Sequence, residues 1–231
     1  MKNSVRAGRG RGVKLDSRRI GILALGSHEE RHGAALPPDT DAKLASHVAL
    51  EAAKRTGAKF LGVLYRSYEL PGIDTGHHNT IEELLVELRD ALLNAKKTFG
   101  VEAIVLVNGH GGNIPLRERL PALEAELGMR LVFNNTIINL EGPHAATEEL
   151  SMGAAIGIAD ESKVTEHVDF SRYPEVGFVG LREAREKYEW AERQARKVEA
   201  EGVRADRKLG RELLERAIVS MVNDVGILSL P

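Results

Sequence analysis

The chain has 231 residues, 42% hydrophobic and 29% charged, with 32 Lys and Arg against 34 Asp and Glu, eight His and no Cys. That balance belongs to a folded globular protein. The missing thiol excludes disulfides, a cysteine nucleophile, iron–sulfur clusters and Cys-ligated zinc, so any metal site must draw on His, Asp and Glu.

Residues 1–19 carry seven basic side chains and one acid, Asp16, which leaves the rest of a chain of net charge −2 at −8. This Gly-rich stretch reads as an unstructured tail. Contact with RNA or an acidic partner is the alternative, but no aromatic residue is present for base stacking, and nucleic acid is not expected as a partner. The tail has no apolar stretch of the signal-peptide kind. No run of ~18 apolar residues occurs anywhere, so no membrane span and a cytoplasmic location are expected.

From residue 20 onward, short apolar runs alternate with helical patterns. Ile20–Leu25 reads as a buried strand and 42–56 as a helix with Leu44, Val48 and Ala52 on one face. Lys59–Leu64 is strand-like. Residues 80–98 place Ile81, Leu84, Leu85, Leu88 and Leu92 in one stripe, the pattern of a long amphipathic helix. A buried strand at 103–107, a helix at 115–127 and a strand at 130–133 follow. Strands alternating with helices predict an α/β fold, a mostly parallel central sheet flanked by helices on both faces. A small-residue helix is expected at 150–159, and charged C-terminal helices at 182–201 and 206–222, their opposite charges recurring as in Glu192 and Arg196. Nothing divides 20–231, which reads as a single domain.

Ligands of such sheets bind beyond the carboxyl ends of the strands, and three polar segments stand there. After the first strand, Glu30, His32 and Asp41 can converge on a divalent ion. After the 103–107 strand comes Asn108-Gly-His-Gly-Gly-Asn113. Turning needs only its glycines, which leaves His110 free to project over the sheet edge. The Gly111 and Gly112 amides could hold an anion. The third segment, 142–151, offers His144 and Glu149, while Thr147 and Ser151 could equally be helix caps.

Together, Glu30-Arg-His32-Gly with Thr40-Asp41, then Asn108-Gly-His110-Gly-Gly-Asn113, then His144-Ala…Glu149…Ser151 resemble the three signatures of the creatininase family of metal-dependent amidohydrolases. The resemblance implies a two-metal site with Glu30, His32, Asp41, His110 and Glu149 as ligands and Asp41 as the bridge. Creatininase takes a ligand two residues past the His of Asn-Gly-His. That place is Gly112 here, so Glu149 must serve. The segment Tyr68–Asn79 replaces the usual Phe-Pro-Gly-Thr, and with His-Ala-x-Thr-x-Glu-x-Ser it resembles the archaeal branch that deformylates a formylaminopyrimidine ribonucleotide 5′-monophosphate in riboflavin and coenzyme F420 synthesis. That branch implies Fe(II), with Zn or Mn as alternatives, a pyrimidine nucleotide substrate and a homo-oligomer, dimer or higher. His78 and Glu148 are the expected proton-transfer residues. Gly111, Gly112, Asn113, His144 and Arg66 are expected to bind substrate, with Arg66, or Arg31, pairing with its phosphate. A family amidohydrolase acting on another small amide is the nearest alternative. His47 and His167 read as packing residues.

Overall fold

The computed structural model describes residues 15–229. Of the tail expected at 1–19, residues 1–14 lie outside the described residues. The remaining five are part of the folded body: Leu15 is buried, Asp16 caps a 3-10 turn at Ser17–Arg19, and Arg19 pairs with Glu102.

Four strands, β1 (Ile20–Leu25), β2 (Lys59–Leu64), β3 (Ala103–Asn108) and β4 (Arg130–Asn134), form one sheet in the order β2-β1-β3-β4, with every pairing parallel. Parallel strands need long crossovers. Those here are α1 (Thr40–Thr56), α2 (Ile81–Phe99) and α3 (Leu120–Leu127). The pleat sends alternate residues to opposite faces. Ile20, Ile22 and Ala24 of β1, with Ala103, Val105 and Val107 of β3, pack beneath α1 and the later helices. Leu23, Leu25, Ile104 and Leu106 face Leu84, Leu88 and Leu92 of α2 and Leu120, Leu123 and Leu127 of α3. The three α2 leucines are fully buried, each contributing roughly 2 kcal/mol of transfer free energy.

After β4 come α4 (Thr136–Leu140), α5 (Thr147–Ala155), α6 (Val164–His167), α7 (Arg182–Lys187), α8 (Glu189–Glu201) and α9 (Arg207–Leu228). Three of the helices expected from the sequence depart from its pattern. The helix expected at 115–127 is α-helical only from Leu120, because Pro121 has no amide to continue an earlier turn; Gly111–Arg119 is 3-10. The helix expected at 150–159 starts three residues earlier, bringing Glu148 and Glu149 into its first turn, and stops before Gly157. The expected 182–201 helix breaks at Tyr188, whose backbone is extended (φ −123, ψ 112) and whose hydroxyl donates to Pro71 O at 2.9 Å. The charge pattern runs straight through that break. Among the described residues no helix is long and apolar enough to cross a membrane.

The chain leaves β1 for β2 on one side and returns to β3 on the other. The gap between the carboxyl ends of β1 and β3 is therefore the point where the winding reverses, and where a ligand site is expected.

Candidate metal centre

Two glycines bring the N-terminus of α1 to that point. A Cβ on Gly26 would fall on the backbone of Ala42, and one on Gly109 would stand 2.5 Å from Asp41 O and 3.0 Å from Ala45 Cβ. Only bare backbone lets both strand ends press on α1, and that contact sets Asp41 at the centre of the site. Asn108 holds the next turn: its Nδ2 donates to His110 O and to Asn135 Oδ1, each at 2.8 Å.

His32 and His110 share one arrangement. His32 Nδ1 donates to Glu30 O at 3.0 Å, leaving Nε2 at 2.9 Å from Asp41 Oδ1 and 3.2 Å from Glu149 Oε1. His110 Nε2 donates to Tyr68 O at 2.9 Å, leaving Nδ1 at 2.7 Å from Glu30 Oε2 and 3.0 Å from Asp41 Oδ2. Each imidazole thus spends one N–H on a backbone carbonyl and turns its other nitrogen toward two carboxylates, the usual support of a metal-binding histidine. Asp41 presents one oxygen to each ring. Glu30, His32, Asp41, His110 and Glu149 are all buried. Glu30 Oε2 and Glu149 Oε1 have no hydrogen-bond partner, though each lies close to an imidazole nitrogen.

Buried carboxylates without partners are costly, so this donor set calls for positive charge. Burial opposes charging the rings, yet Asp41 and Glu149 hold His32 well above its usual pKa, and Glu30 and Asp41 do the same for His110. Burial likewise opposes the charged carboxylate of Asp41, but His32 and His110 outweigh it and depress the group. Divalent ions meet the same demand with oxygen and imidazole ligands. Three groupings have donor atoms within 4.8 Å of one another: Glu30, His32 and Asp41; His32, His144 and Glu149; and Glu30, Glu69 and His110. The residues fit a metal.

The third segment is shaped by backbone strain. Ala145 adopts φ 53, rare for a residue with a Cβ, and so points its amide at Glu149 Oε2, 2.6 Å away. The Ala145 carbonyl accepts from His167 Nε2 at 2.7 Å, and His167 Nδ1 accepts from Ala35 N at 3.1 Å. His167 thereby ties the loop after β1 to the loop before α5. Thr147 and Ser151 do not cap α5; their hydroxyl oxygens accept from Arg204 N and Asp206 N.

Over the site opens a cavity of about 440 Å³, a size suited to a small ligand. Its walls include Glu30, Asp41, Glu69, His110, Gly111, Gly112, Glu141 and His144 on the polar side, and Ile114, Ile138, Phe178 and Trp190 on the apolar side. The His144 ring lies 4.6 Å from that of His32 and 5.5 Å from that of Phe178, and its Nε2 donates to Arg31 O at 2.8 Å.

Four of the residues expected to bind substrate or transfer protons stand apart from this cavity. Arg66 is paired with Glu87 on α2. Glu148 is paired with Lys197 on α8 at 2.7 Å. Asn113 is buried behind the glycines, its Oδ1 accepting from Tyr68 N at 3.0 Å. His78 stacks on His110 at 5.1 Å and is held by Ser67 and Thr75. Burial and the neighbouring His110 charge lower its pKa to about 4, so it is neutral at pH 7. Arg31, the other candidate for the phosphate, pairs with Asp74.

Two cavity carboxylates are absent from the sequence reading, Glu69 and Glu141. Burial raises Glu69 to about 7, with Glu30 also pushing it up against the pull of His110. Burial, then the charges of Glu149, Asp41 and Glu30, raise Glu141 well above the carboxylate range. The one available signal was position, since each adjoins a Gly- or Pro-containing turn beyond a strand end.

The sequence profile of the Creatininase family, described as creatinine amidohydrolase, matches residues 12–225. The chain belongs to the creatininase family. Family relatives include proteins named 2-amino-5-formylamino-6-ribosylaminopyrimidin-4(3H)-one 5′-monophosphate deformylase. The one from Methanothermobacter thermautotrophicus is 49% identical, over 92% of this chain and 91% of that protein. The one from Methanothermus fervidus is 45% identical, over 89% and 83%. A solved creatinine amidohydrolase (creatininase) shares the fold at TM-score 0.65 and 19% identity, over 92% of this chain and 91% of that one. A structure described as creatininase Mn superposes equally well, at TM-score 0.65 and 17% identity, with the same coverage.

Proposed function

We propose that this protein removes the formyl group from a formylaminopyrimidine ribonucleotide 5′-monophosphate, releasing formate and the diaminopyrimidine nucleotide, in riboflavin and coenzyme F420 biosynthesis. The observation that carries the hydrolytic chemistry is the matched pair of imidazoles, each anchored on a carbonyl and facing carboxylates that share Asp41. The substrate is supported by the names of the relatives at 49% and 45% identity.

In this reading Glu30, Asp41 and His110 would hold one divalent ion, and His32, Asp41 and Glu149 would hold a second. Fe(II) is the favoured ion, with Zn or Mn possible, since oxygen and imidazole donors suit all three. Bound there, the ions supply Lewis acidity and a water acidic enough to ionise near neutral pH. The protein's own residues then position the amide. Gly111, where an added Cβ would meet nothing within 4 Å, lets the formyl group approach the site without a side chain in the way, whereas the space beside Gly112 is filled by Tyr68 O and the Glu69 carboxylate. Water adds to the formyl carbon, the C–N bond breaks, and the leaving nitrogen takes a proton. Glu141, a carboxyl in the cavity wall that burial pushes up, is the cavity group suited to donate that proton. Glu148 and His78, held away from the cavity by Lys197 and by Ser67 and Thr75, act by supporting their neighbours. Phe178 and Trp190, 5.4 Å apart edge to face, form the wall against which the pyrimidine stacks. A homo-oligomer and a cytoplasmic location belong to the same reading.

The test is formate release from the formylaminopyrimidine nucleotide by protein reconstituted with Fe(II), Mn or Zn in turn. Formate in step with the loss of substrate supports the assignment. Hydrolysis of creatinine or another small amide, with no formate from the nucleotide, would transfer the site to a different substrate of the family.

A further inference from the structure

Glu69 lies on the loop after β2, outside the three segments that supply the other donors. Its side chain is 9% exposed, and its Oε2 stands 3.8 Å from His110 Nε2, beside the ring edge that donates to Tyr68 O and next to the edge whose Nδ1 faces Glu30. With Glu30 and His110 it forms a grouping whose donor atoms lie within 4.8 Å of one another. Glu30 Oε2, 2.7 Å from His110 Nδ1, is buried and has no hydrogen-bond partner.

The loop is fixed from both sides. Tyr68 N donates to Asn113 Oδ1 at 3.0 Å, and Tyr68 O accepts from His110 Nε2 at 2.9 Å. Glu69 Oε1 accepts from Leu70 N at 2.6 Å, which orients the carboxylate before any ligand arrives. Space at Gly112 leads to the same residue. A Cβ there would fall on Tyr68 O and come within 2.6 Å of His110 Nε2 and 2.8 Å of Glu69 Oε1. The Glu69 carboxylate thus occupies the volume beside His110 that a side chain at position 112 would enter, and no residue but glycine leaves room for it.

We propose that Glu69 is a metal ligand, completing with Glu30 and His110 the coordination of the ion nearest the loop after β3. The proposal rests on the two-ion reading above and adds a carboxylate from a fourth segment to it. An oxygen donor at that place also gives the loop after β2 a direct hold on the ion.

The test uses the full chain stripped by a chelator and titrated with Zn²⁺ by calorimetry, comparing wild type, Glu69→Gln and Glu30→Gln. Wild type should bind two ions. Glu69→Gln, which keeps the shape and removes the charge, should weaken one of them by at least ~100-fold, beyond the 10–100-fold cost of losing an outer partner. Glu30→Gln sets the scale for loss of a direct ligand. Wild-type stoichiometry and affinity in Glu69→Gln, with the loss present in Glu30→Gln, would overturn the role of Glu69 and leave the metal centre standing. If wild type bound no Zn²⁺ at all, both readings would fall. A measurement independent of any variant is anomalous diffraction from Zn-loaded wild-type crystals. It should place a Glu69 oxygen at about 2.0–2.2 Å from an ion, and a Glu69 carboxylate outside contact distance would refute the proposal.

Discussion

Gly210 and Gly226 both lie inside α9, and replacing each with alanine sets two physical effects against each other. Helix propensity favours alanine by ~1 kcal/mol at an interior position. At Gly210, however, the helix crosses α5 so closely that a Cβ would fall on the carbonyl of Ser151 and within 2.9 Å of Met152 N. Backbone, not a flexible side chain, is struck, so α9 must withdraw from α5 by on the order of an ångström. Overpacking of this kind costs about 3 kcal/mol, the upper end of its usual range. The net expectation for Gly210→Ala is ~2 kcal/mol of destabilisation, a fall in Tm of ~4–8 °C for a chain of this size. Gly226 has nothing within 4 Å of the same imagined atom, so Gly226→Ala should raise stability by ~0.5 kcal/mol, less than the full propensity because it sits in the last turn. Thermal unfolding followed by circular dichroism reads both. Because α5 carries Glu149, Gly210→Ala should also weaken metal binding in proportion to the shift of that helix. A Gly210→Ala protein as stable as Gly226→Ala would refute the close-packing argument.

Further predictions concern charge and metal. Chelation should lower Tm, since an ion bound at a hundred times its Kd stabilises the fold by ~2.7 kcal/mol. His110→Ala should abolish most of that difference, and an unchanged chelator effect would reject His110 as a ligand. Hydrogen bonds from Arg185 and Arg196 depress Glu192 to about 2. A lowered carboxylate pKa stabilises the fold above the unfolded value, near 4.5, and that stabilisation is lost as pH falls toward about 2. Glu192→Gln should therefore melt below wild type at pH 7, with the gap closing in acid; a gap independent of pH would exclude the ion-pair origin. Arg66→Ala should leave KM for the nucleotide unchanged, because Arg66 is committed to Glu87. A large rise in KM would show that it reaches the substrate.

The layered fold was legible in the sequence because buried strands and amphipathic helices are local patterns. Ile20–Leu25 and Ala103–Asn108 are buried along their whole length, and the α2 stripe keeps one period from Ile81 to Leu92. The resemblance to three polar signatures likewise named five candidate donors, and the fold gathers the other four around Asp41. A donor loop placed directly after a strand has little choice of destination, since a parallel sheet delivers all its carboxyl ends to one edge.

What spacing could not reveal was which way a side chain turns when partners from distant parts of the chain compete for it. Lys197 draws Glu148 from 49 residues away, and Glu87 draws Arg66 across 21. Tyr188 breaks a continuous charge pattern to reach Pro71, 117 residues earlier. Glu69 and Glu141 reach the cavity wall from turns that no periodicity marks. The sequence by itself determined the sheet and its helices, which rest on local periodicity, and pointed through its family signatures to the candidate donors at the strand ends. Tertiary structure alone decided which charges neutralise one another at the surface and which lie buried together at the candidate metal centre.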